Sequence, residues 1–327
     1  MRFGYACINM ELQERGIQTS RGMIKRTFQQ KGIRYASELA LQNCKDLIQI
    51  VKWNNRNGVK VFRITSCLFP WASEYNIDDM PDIEGIAKAL AEVGRVAREG
   101  GQRLSLHPGP FNILASDNER VVQNCIKDLL IHQKMMDLMG QPQNHWAKIN
   151  IHVGAAKGDR DKALETWCRN FETLPEGVRK RLTVENDDKA NLYSIKMLYD
   201  GIFTRLGVPI VADQHHHECG PQDISWAEAL PLTASTWGDV RPTCHLSNSR
   251  QLEDPKEARN AHSDWYYTPF DDCGLEVDVV LEAKMKERAL LRYLRDFMPV
   301  NRPGDAAASE GSRSPCEGSR SQPASLL

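Results

Sequence analysis

Short apolar runs alternate with longer amphipathic stretches along most of this chain. The short runs are rich in Val, Ile and Leu, and the longer stretches carry apolar residues three or four positions apart, which indicates strands alternating with helices. Such an alternation is typical of a parallel sheet covered by helices. The predicted strands are residues 2–7, 59–64, 103–107, 147–152, 181–185, 208–213, 240–246 and 275–280.

The same pattern predicts eight helices. In residues 118–139, for example, apolar side chains recur at helical spacing after Asp117, a residue type favoured at helix N-caps. The full set is 36–56, 83–99, 118–139, 160–173, 190–206, 222–230, 251–260 and 282–297. Strands that are each followed by a helix predict an α/β fold, the closed TIM (β/α)8 barrel.

The apolar pattern stops after Pro299. Residues 301–327 consist mainly of Gly, Ser, Pro, Ala and Arg, and so little apolar surface predicts a disordered tail. The barrel then occupies residues 1–300 as a single domain, which suits a fold that commonly needs about 250 residues.

Overall charge neither requires nor excludes a polyanionic partner. The net charge is −1 over 327 residues, so a surface for nucleic acid has to be local. Nine cysteines without a C-x-x-C pair argue against a zinc ribbon and a disulfide scaffold. No stretch approaches the ~20 apolar residues of a membrane span, and the first residues lack a signal-like apolar core. We expect a soluble cytoplasmic protein without membrane contacts.

Ionisable residues follow the apolar runs at the predicted strand ends, where barrel enzymes carry their active sites. They are His107 after the third strand, His152 after the fourth, Glu185 after the fifth, Asp213 and His216 after the sixth, His245 and His262 after the seventh, and Glu282 after the eighth. Burying such groups without partners costs on the order of several kcal/mol each. Divalent cations are the simplest compensation, and this mixture of nitrogen and oxygen donors suits Mn²⁺, Zn²⁺ or Fe²⁺.

Three consecutive histidines stand in the DQHHH segment. Neighbouring side chains of an extended chain face opposite ways, so His215, His216 and His217 cannot all reach one site. We expect one or two of them to pack behind it.

Together these motifs resemble the UV damage endonuclease family, a relative of endonuclease IV and of the xylose isomerase-like barrels. The similarity covers about residues 1–298 and rests on GYACIN, FRITSCLFP, LHPGPF, INIHVGAAKGD, TVENDD, DQHHH, CHLSNS, AHSD and LEAKMKE, in this order. It implies a cluster of two or three Mn²⁺ ions, with Zn²⁺ or another divalent metal as the alternative, held by the eight strand-end residues named above. No catalytic residue beyond these ligands is implied.

The chain departs from the family pattern at three places. Cys67 stands where some members have a further histidine, and Thr243 stands where some have a modified lysine. Both differences affect one of the metal positions of the family. The family commonly follows H-P-G with Gln and an aromatic residue that probe the helix opposite the lesion. Here the pair is Pro110 and Phe111, so a ring remains that can wedge into a base stack but the hydrogen-bonding side chain is lost.

Further contacts to DNA are implied by the resemblance and by a basic segment. Tyr5 and Asn9 match positions that line the lesion pocket. Residues 15–34, predicted as the loop after the first strand, carry no acidic residue, and their basic residues are Arg15, Arg21, Lys25, Arg26, Lys31 and Arg34. We expect phosphate contacts here, above all from Arg21, Lys25 and Arg26. Lys157, Arg160 and Lys162 after His152 add to them.

The expected activity is that of a metal-dependent DNA repair endonuclease, located in the cytoplasm at the nucleoid. A monomer would nick damaged double-stranded DNA immediately 5′ to cyclobutane pyrimidine dimers, 6-4 photoproducts and abasic sites, leaving a 3′-hydroxyl and a 5′-phosphate. A sugar isomerase or epimerase on the same barrel is one alternative, although it needs fewer ligands and no basic segment. A lesion-binding protein without cleavage is the other, suggested by Cys67, Pro110 and Thr243.

Overall fold

Eight parallel strands form a closed barrel in this computed structural model, which describes residues 1–154 and 158–298. Each strand pairs with the next, and the last pairs with the first. The strands are β1 (Arg2–Cys7), β2 (Val61–Ile64), β3 (Arg103–Leu106), β4 (Ile149–His152), β5 (Leu182–Glu185), β6 (Ile210–Asp213), β7 (Thr243–Leu246) and β8 (Asp278–Leu281). The TIM barrel predicted from the apolar pattern is confirmed.

Helices cover the outside of this barrel. They are α1 (Met10–Gln13), α2 (Lys25–Arg56), α3 (Ile83–Glu99), α4 (Glu119–Leu138), α5 (Arg160–Glu172), α6 (Glu176–Arg179), α7 (Ile195–Leu198), α8 (Thr204–Leu206), α9 (Gln214–Cys219), α10 (Trp226–Ser235) and α11 (Lys286–Phe297). One π-helical segment, Tyr199–Phe203, joins α7 to α8. The helix predicted at 190–206 therefore starts later but ends as expected.

The helix predicted at 251–260 is wrong. Only a 3₁₀ turn forms there, at Arg250–Leu252. This stretch has no apolar face to bury, and the Asp254 carboxylate accepts a hydrogen bond from the Lys256 backbone nitrogen at 3.0 Å, a turn contact that competes with a helix. The loop instead returns His262 to Ser249 in a β-bridge.

The basic segment predicted as a loop is helical from Lys25 onwards. Phe28 stacks on Trp71 with ring centroids 5.9 Å apart and also packs against Tyr75. This tertiary packing stabilises the first helical turns of α2, in which the helical spacing of apolar residues is weak. The helix therefore starts before the predicted residue 36. Gly32, at φ 61°, interrupts the helix.

Alternation along the strands decides which residues line the barrel. Phe62 faces outwards, packed against Tyr5 with ring centroids 5.0 Å apart, whereas Val61 packs inside with Ala6. Strand approach is tight here, since a Cβ at Gly4 would lie 1.6 Å from the Val61 carbonyl oxygen. Arg63 follows Val61 at the spacing that places its side chain in the barrel, nearer the carboxyl end.

The amino ends of the strands are closed by a buried ion cluster. Asp278 accepts hydrogen bonds from Arg2 Nε at 2.7 Å and from Arg103 Nη1 at 3.0 Å. The Arg103 guanidinium also lies 4.8 Å from the Trp146 ring centroid and 5.3 Å from that of Trp237. This closure leaves the carboxyl ends of the strands for an open cleft.

The predicted tail at 301–327 and the basic residue Lys157 lie outside the described residues. Within the described part, no helix has both the length and the apolar character needed to span a membrane.

Candidate metal centre

The predicted ionisable residues meet at the carboxyl ends of neighbouring strands. Parallel register pairs His152 with Glu185 across β4 and β5, and Asp213 with His245 across β6 and β7. Because these four residues lie at the carboxyl ends of their strands and alternate inwards, their side chains converge on the barrel axis. His107 and Glu282 directly follow β3 and β8 and complete the ring.

Glu185 lies at the centre of the group, with 1% of its surface exposed. Its Oε2 is 3.1 Å from His107 Nε2. Its Oε1 is 3.1 Å from His245 Nδ1 and 3.3 Å from His216 Nδ1. Asn150, two residues before His152 on the same strand face, donates to Oε2 from its amide nitrogen. One carboxylate thus contacts side chains from β4, from β7, from α9 and from the residue that follows β3.

Glu282 connects the other side of the ring. Its Oε1 is 3.1 Å from His245 Nδ1 and accepts a hydrogen bond from Arg63 Nη1. Its Oε2 is 3.9 Å from His262 Nδ1. His262 therefore stands at the edge of the group, where the loop after β7 returns to the barrel.

The two carboxylate oxygens of Asp213 have different roles: one caps a helix, and the other belongs to the ligand group. As N-cap of α9, it accepts a hydrogen bond through Oδ1 from the His216 backbone nitrogen at 2.8 Å, so the D-x-x-H spacing is that of a helix cap. Its Oδ2 is buried and has no hydrogen-bond partner in the part of the chain that the structure describes. The nearest histidine nitrogen is His216 Nε2, at 3.9 Å. A bare carboxylate oxygen among imidazoles is suited to a cation.

Seven of the eight predicted ligands form three overlapping triads, in each of which the potential ligand atoms lie within 4.8 Å of one another. The triads are His107, His152 and Glu185; Glu185, Asp213 and His216; and Asp213, His245 and Glu282. Glu185 and Asp213 each belong to two of the triads. The donor set fits divalent cations, and it is compatible with more than one.

The two central glutamates are held in their charged form. Burial alone would raise the pKa of Glu185, but the imidazoles of His245 and His152 outweigh it and hold that pKa well below its usual range. Burial likewise opposes ionisation of Glu282, whereas the Arg63 guanidinium and then His245 lower its pKa. Both carboxylates are therefore available as anionic ligands at neutral pH.

The imidazoles differ in charge. Burial lowers the pKa of His107 to about 4, which its contact with Glu185 only partly opposes, so this ring is neutral at pH 7 and ready to bind a metal. For His216, burial also disfavours the charged form, but Asp213 and Glu185 prevail and raise the pKa to about 9. A metal bound by His216 has to displace a proton.

Several neighbours of the group were not anticipated from the sequence. Asp187 Oδ1 lies 3.1 Å from His152 Nδ1, and the Asn186 carbonyl accepts a hydrogen bond from His216 Nδ1 at 2.9 Å. Both follow Glu185 in the TVENDD motif, where the polar run itself was the available signal. Such partners orient imidazoles and fix their tautomers.

Two cationic side chains were also missed. Arg63 pairs with Glu282, as described above, and Lys148 reaches up from the start of β4 to place Nζ 3.4 Å from His245 Nε2. Burial lowers the pKa of Lys148 to about 7. Thr243 is buried nearby on β7, and its hydroxyl has no partner among the described residues. No spacing rule along the sequence brings these residues together, because barrel closure does.

Tyr5 and Asn9 are not at the cleft surface, contrary to what the resemblance implied. Tyr5 is fully buried, and its hydroxyl donates to Asn54 Oδ1 at 2.8 Å and accepts from Asn9 Nδ2 at 2.9 Å. Asn9, 1% exposed, caps α1 through its side chain. The alternation of β1 turns Tyr5 outwards to α2, so both residues support the first loop from behind.

Pro110 and Phe111 stand on the rim of the cleft, in the loop after β3. Pro110 lines the cleft itself, and Phe111 is 86% exposed, an unusual state for a large apolar side chain. Cys67 is also exposed, in the loop after β2, and belongs to none of the three triads of the described residues.

The basic residues predicted to contact DNA differ in availability. Arg21 is held by Asp46 Oδ2 at 2.7 Å and by the Gln18 carbonyl at 2.6 Å. Lys25 and Arg26 are exposed at the start of α2. Because barrel helices run back from the carboxyl ends of the strands, this helix start lies on the face that carries the cleft.

The three consecutive histidines divide as expected, although they lie on a short helix, α9. His216 joins the group, whereas His217 packs against Trp226 with ring centroids 5.5 Å apart. His215 is buried beside Cys219 and His262.

The ligand group opens into a cleft of about 550 Å³, whose lining includes ligands from both sides of the ring together with Arg63, Pro110 and Lys189. Its floor is the ionisable group and its rim is formed by the loops after β3 and β5.

Comparison with known proteins matches residues 1–309 to the model of a family described as UV-endonuclease UvdE. A putative UV-damage endonuclease of Acanthamoeba polyphaga mimivirus is 31% identical over 91% of this chain and 92% of its own length. The UV-damage endonuclease of Schizosaccharomyces pombe is 32% identical over 92% of this chain, which spans only 51% of that protein.

Solved structures give a consistent result. The crystal structure of SacUVDE matches with a TM-score of 0.79 and 29% identity, over 90% of this chain and 97% of that one. Endonuclease IV from Thermus thermophilus, at 14% identity and a TM-score of 0.56 over 91% and 98% of the two chains, shares the fold. D-psicose 3-epimerase from Clostridium cellulolyticum, at 11% identity and a TM-score of 0.54 over 86% and 85%, does so too. The chain therefore belongs to the UV-endonuclease UvdE family of DNA repair endonucleases.

Proposed function

We propose that this protein nicks damaged double-stranded DNA immediately 5′ to cyclobutane pyrimidine dimers and 6-4 photoproducts, and that it also acts at abasic sites. The products are a 3′-hydroxyl and a 5′-phosphate, the cofactor is Mn²⁺, and the active species is a monomer. The observation that carries the proposal is the set of three overlapping histidine–carboxylate triads on the floor of the cleft.

The eight strand-end residues are assigned as ligands in this proposal: His107, His152, Glu185, Asp213, His216, His245, His262 and Glu282. Divalent ions held by them supply an activated water and stabilise negative charge on the phosphate and the leaving oxygen. Glu185 and Asp213, which each belong to two triads, would be central to holding these ions. The neutral imidazole of His107 can bind a metal without losing a proton, whereas the imidazole of His216 must lose one first.

The rim supplies lesion recognition in this proposal. A damaged step stacks weakly, so its nucleotides leave the helix at lower cost than intact ones. Phe111, which is exposed beside the cleft, is placed to fill the gap in the stack. Lys25 and Arg26 are free to contact phosphates, whereas Arg21 is engaged with Asp46 and contributes less.

An epimerase function is not adopted. The resemblance to sugar epimerases reaches only 11% identity for D-psicose 3-epimerase and concerns the fold. The three triads also provide more ligands than the one or two ions of a typical sugar isomerase require.

The decisive experiment incubates purified protein with Mn²⁺ and a duplex that contains one cyclobutane dimer. We expect a nick directly 5′ to the dimer, none on the undamaged duplex, and none with EDTA. Absence of a lesion-dependent nick would reject the nuclease proposal, and tight lesion binding in that case would favour a binding protein.

The ligand assignment has its own test in Glu185→Ala and His216→Ala. We expect each variant to lose nicking by at least about a hundredfold, while binding of the damaged duplex largely survives. Glu218→Ala, on the same short helix as His216 but outside the triads, is the matched control and should keep its activity. Normal nicking by either ligand variant would contradict the assignment.

A further inference from the structure

Arg63 is a cation inside a group built of potential metal ligands. It is the third residue of β2, and its side chain is only 12% exposed. The guanidinium donates through Nη1 to Glu282 Oε1 and lines the cleft together with His107 and His152. Nothing in the motif FRITSCLFP marks it as part of the site, since only barrel closure sets it opposite Glu282.

The guanidinium is charged and incompletely bonded. Arginine keeps its positive charge in proteins, and Glu282 is its anionic partner here. Its Nε is buried and has no hydrogen-bond partner among the described residues. A buried donor on a charged group is costly to leave unpaired, so the side chain has capacity for a further anionic partner.

The oxygen that Arg63 holds is also a potential metal ligand. Glu282 Oε1 lies 3.1 Å from His245 Nδ1, and Glu282 forms a triad with His245 and Asp213. A guanidinium and a divalent ion repel each other strongly at contact distance in a site with little water. An ion that binds this oxygen must therefore replace the guanidinium there.

We propose that Arg63 is a displaceable counter-ion of the candidate metal centre, which neutralises Glu282 until a divalent cation binds and then pairs with a phosphate oxygen of DNA in the cleft. The planar donor fork of arginine suits phosphate, and the unpaired Nε becomes satisfied in that state. The inference rests on the proposed function, because it requires both the ions and the DNA.

Two possible roles of Arg63 predict opposite changes in Mn²⁺ affinity when its side chain is removed. If Arg63 only positioned Glu282 for the metal, its loss would weaken metal binding. If it competes for Glu282, its loss strengthens metal binding, because the ion no longer has to break a charge-assisted hydrogen bond. The sign of the change in Mn²⁺ affinity therefore separates the two roles.

The test is calorimetric titration of Mn²⁺ into the metal-free full chain. Arg63→Met should bind Mn²⁺ about tenfold more tightly than the wild type, and Arg63→Gln, which stays polar but uncharged, should change in the same direction. Arg95→Met removes an exposed charge on α3, far from the cleft, and should bind like the wild type. Thermal unfolding with EDTA shows whether each variant folds; should Arg63→Met not fold, Arg63→Gln provides the comparison.

Nicking supplies the second half of the test. At saturating Mn²⁺, Arg63→Met should lose about tenfold in kcat/KM on the dimer-containing duplex, as expected for one lost charge-assisted phosphate contact, whereas Arg95→Met should not. Weaker or unchanged Mn²⁺ binding by the Arg63 variants would overturn the inference while leaving the proposed function intact. A wild-type protein that binds no Mn²⁺ would overturn both.

Discussion

Asp213 and His216 illustrate how single residues combine structural and chemical roles. The backbone of His216 is capped by Asp213 Oδ1, while the second oxygen of Asp213 and the His216 ring face the ligand group. The same carboxylates that are suited to a metal also hold a proton on His216, raising its pKa to about 9. Proton and metal therefore compete for this ring.

Mn²⁺ affinity should consequently rise with pH. Because His216 is protonated well below pH 9 in the metal-free protein, each unit of pH between 7 and 8 should strengthen binding by up to about tenfold. His107, with its pKa lowered to about 4 by burial, contributes nothing in this interval. Calorimetry in two buffers of different ionisation enthalpy measures the affinity and counts the released protons.

Titration of His216→Ala provides the control, since its weaker binding should have lost part of this pH dependence. The remainder comes from His152, whose pKa burial would lower but Glu185 and Asp187 raise. Wild-type affinity that stays constant from pH 7 to 8, without proton release, would contradict the assignment of His216 as a ligand.

At the scale of elements, the strands and the residues directly after them carry most of the candidate ligands, while the loops beyond form the rim of the cleft. The loop after β3 presents Phe111 with 86% of its surface exposed, while the neighbouring Asn112 is buried and donates to Asp128 on α4 at 2.8 Å. The loop is therefore anchored at Asn112 and leaves the adjacent ring of Phe111 exposed. An anchored loop presents an aromatic probe at little entropic cost.

Phe111→Ala should weaken binding of the dimer-containing duplex about tenfold or more, since stacking of one aromatic ring on a base contributes about 1–3 kcal/mol. Stability should stay unchanged, because so exposed a ring buries little. Leu291→Ala, which removes a 40% exposed side chain from α11, is the control and should affect neither. Fluorescence anisotropy with damaged and undamaged duplexes, together with urea unfolding, measures both quantities.

If Phe111→Ala instead lowered stability and left lesion binding intact, the ring would be an anchor of its own loop. The exposure of Phe111 argues against this outcome.

Across the whole molecule, stability and chemistry are divided between the two ends of the barrel. Asp278, fully buried at the amino ends of the strands, pairs with Arg2 and Arg103. The ligand group lies at the carboxyl ends. Changes at the closed end should therefore alter stability without altering the site.

Asp278→Asn should lower the free energy of unfolding by about 3–5 kcal/mol, because it leaves the buried Arg103 and the partly buried Arg2 without their counter-charge. Glu276→Gln removes the charge of a 77% exposed partner of Arg241 and should change the free energy of unfolding by less than about 1 kcal/mol. Urea unfolding followed by circular dichroism gives both values. Equal and small effects would show that the Asp278 cluster contributes little to stability.

Nicking and Mn²⁺ affinity of folded Asp278→Asn, measured well below its unfolding midpoint, should match the wild type. A large loss there would mean that the two ends of the barrel are coupled.

The order and type of the elements were predictable because local periodicity encodes them. Each strand is a short apolar run and most helices carry an apolar stripe, so each of the eight strands overlaps its predicted segment. The start of α2 was mispredicted because its structure depends on contacts with distant parts of the chain, such as Phe28 on Trp71. The segment 251–260 was mispredicted for a local reason, since it has no apolar face and Asp254 forms a turn there instead.

The sequence by itself determined the barrel and the ionisable residues at its strand ends, since both follow from residue order along each strand. Only the tertiary structure decided that Tyr5 faces α2, that Arg63 holds Glu282, and that Lys148 reaches His245. These contacts join residues up to 219 positions apart. Barrel closure sets such distances through register and strand alternation acting together, and no local pattern contains them.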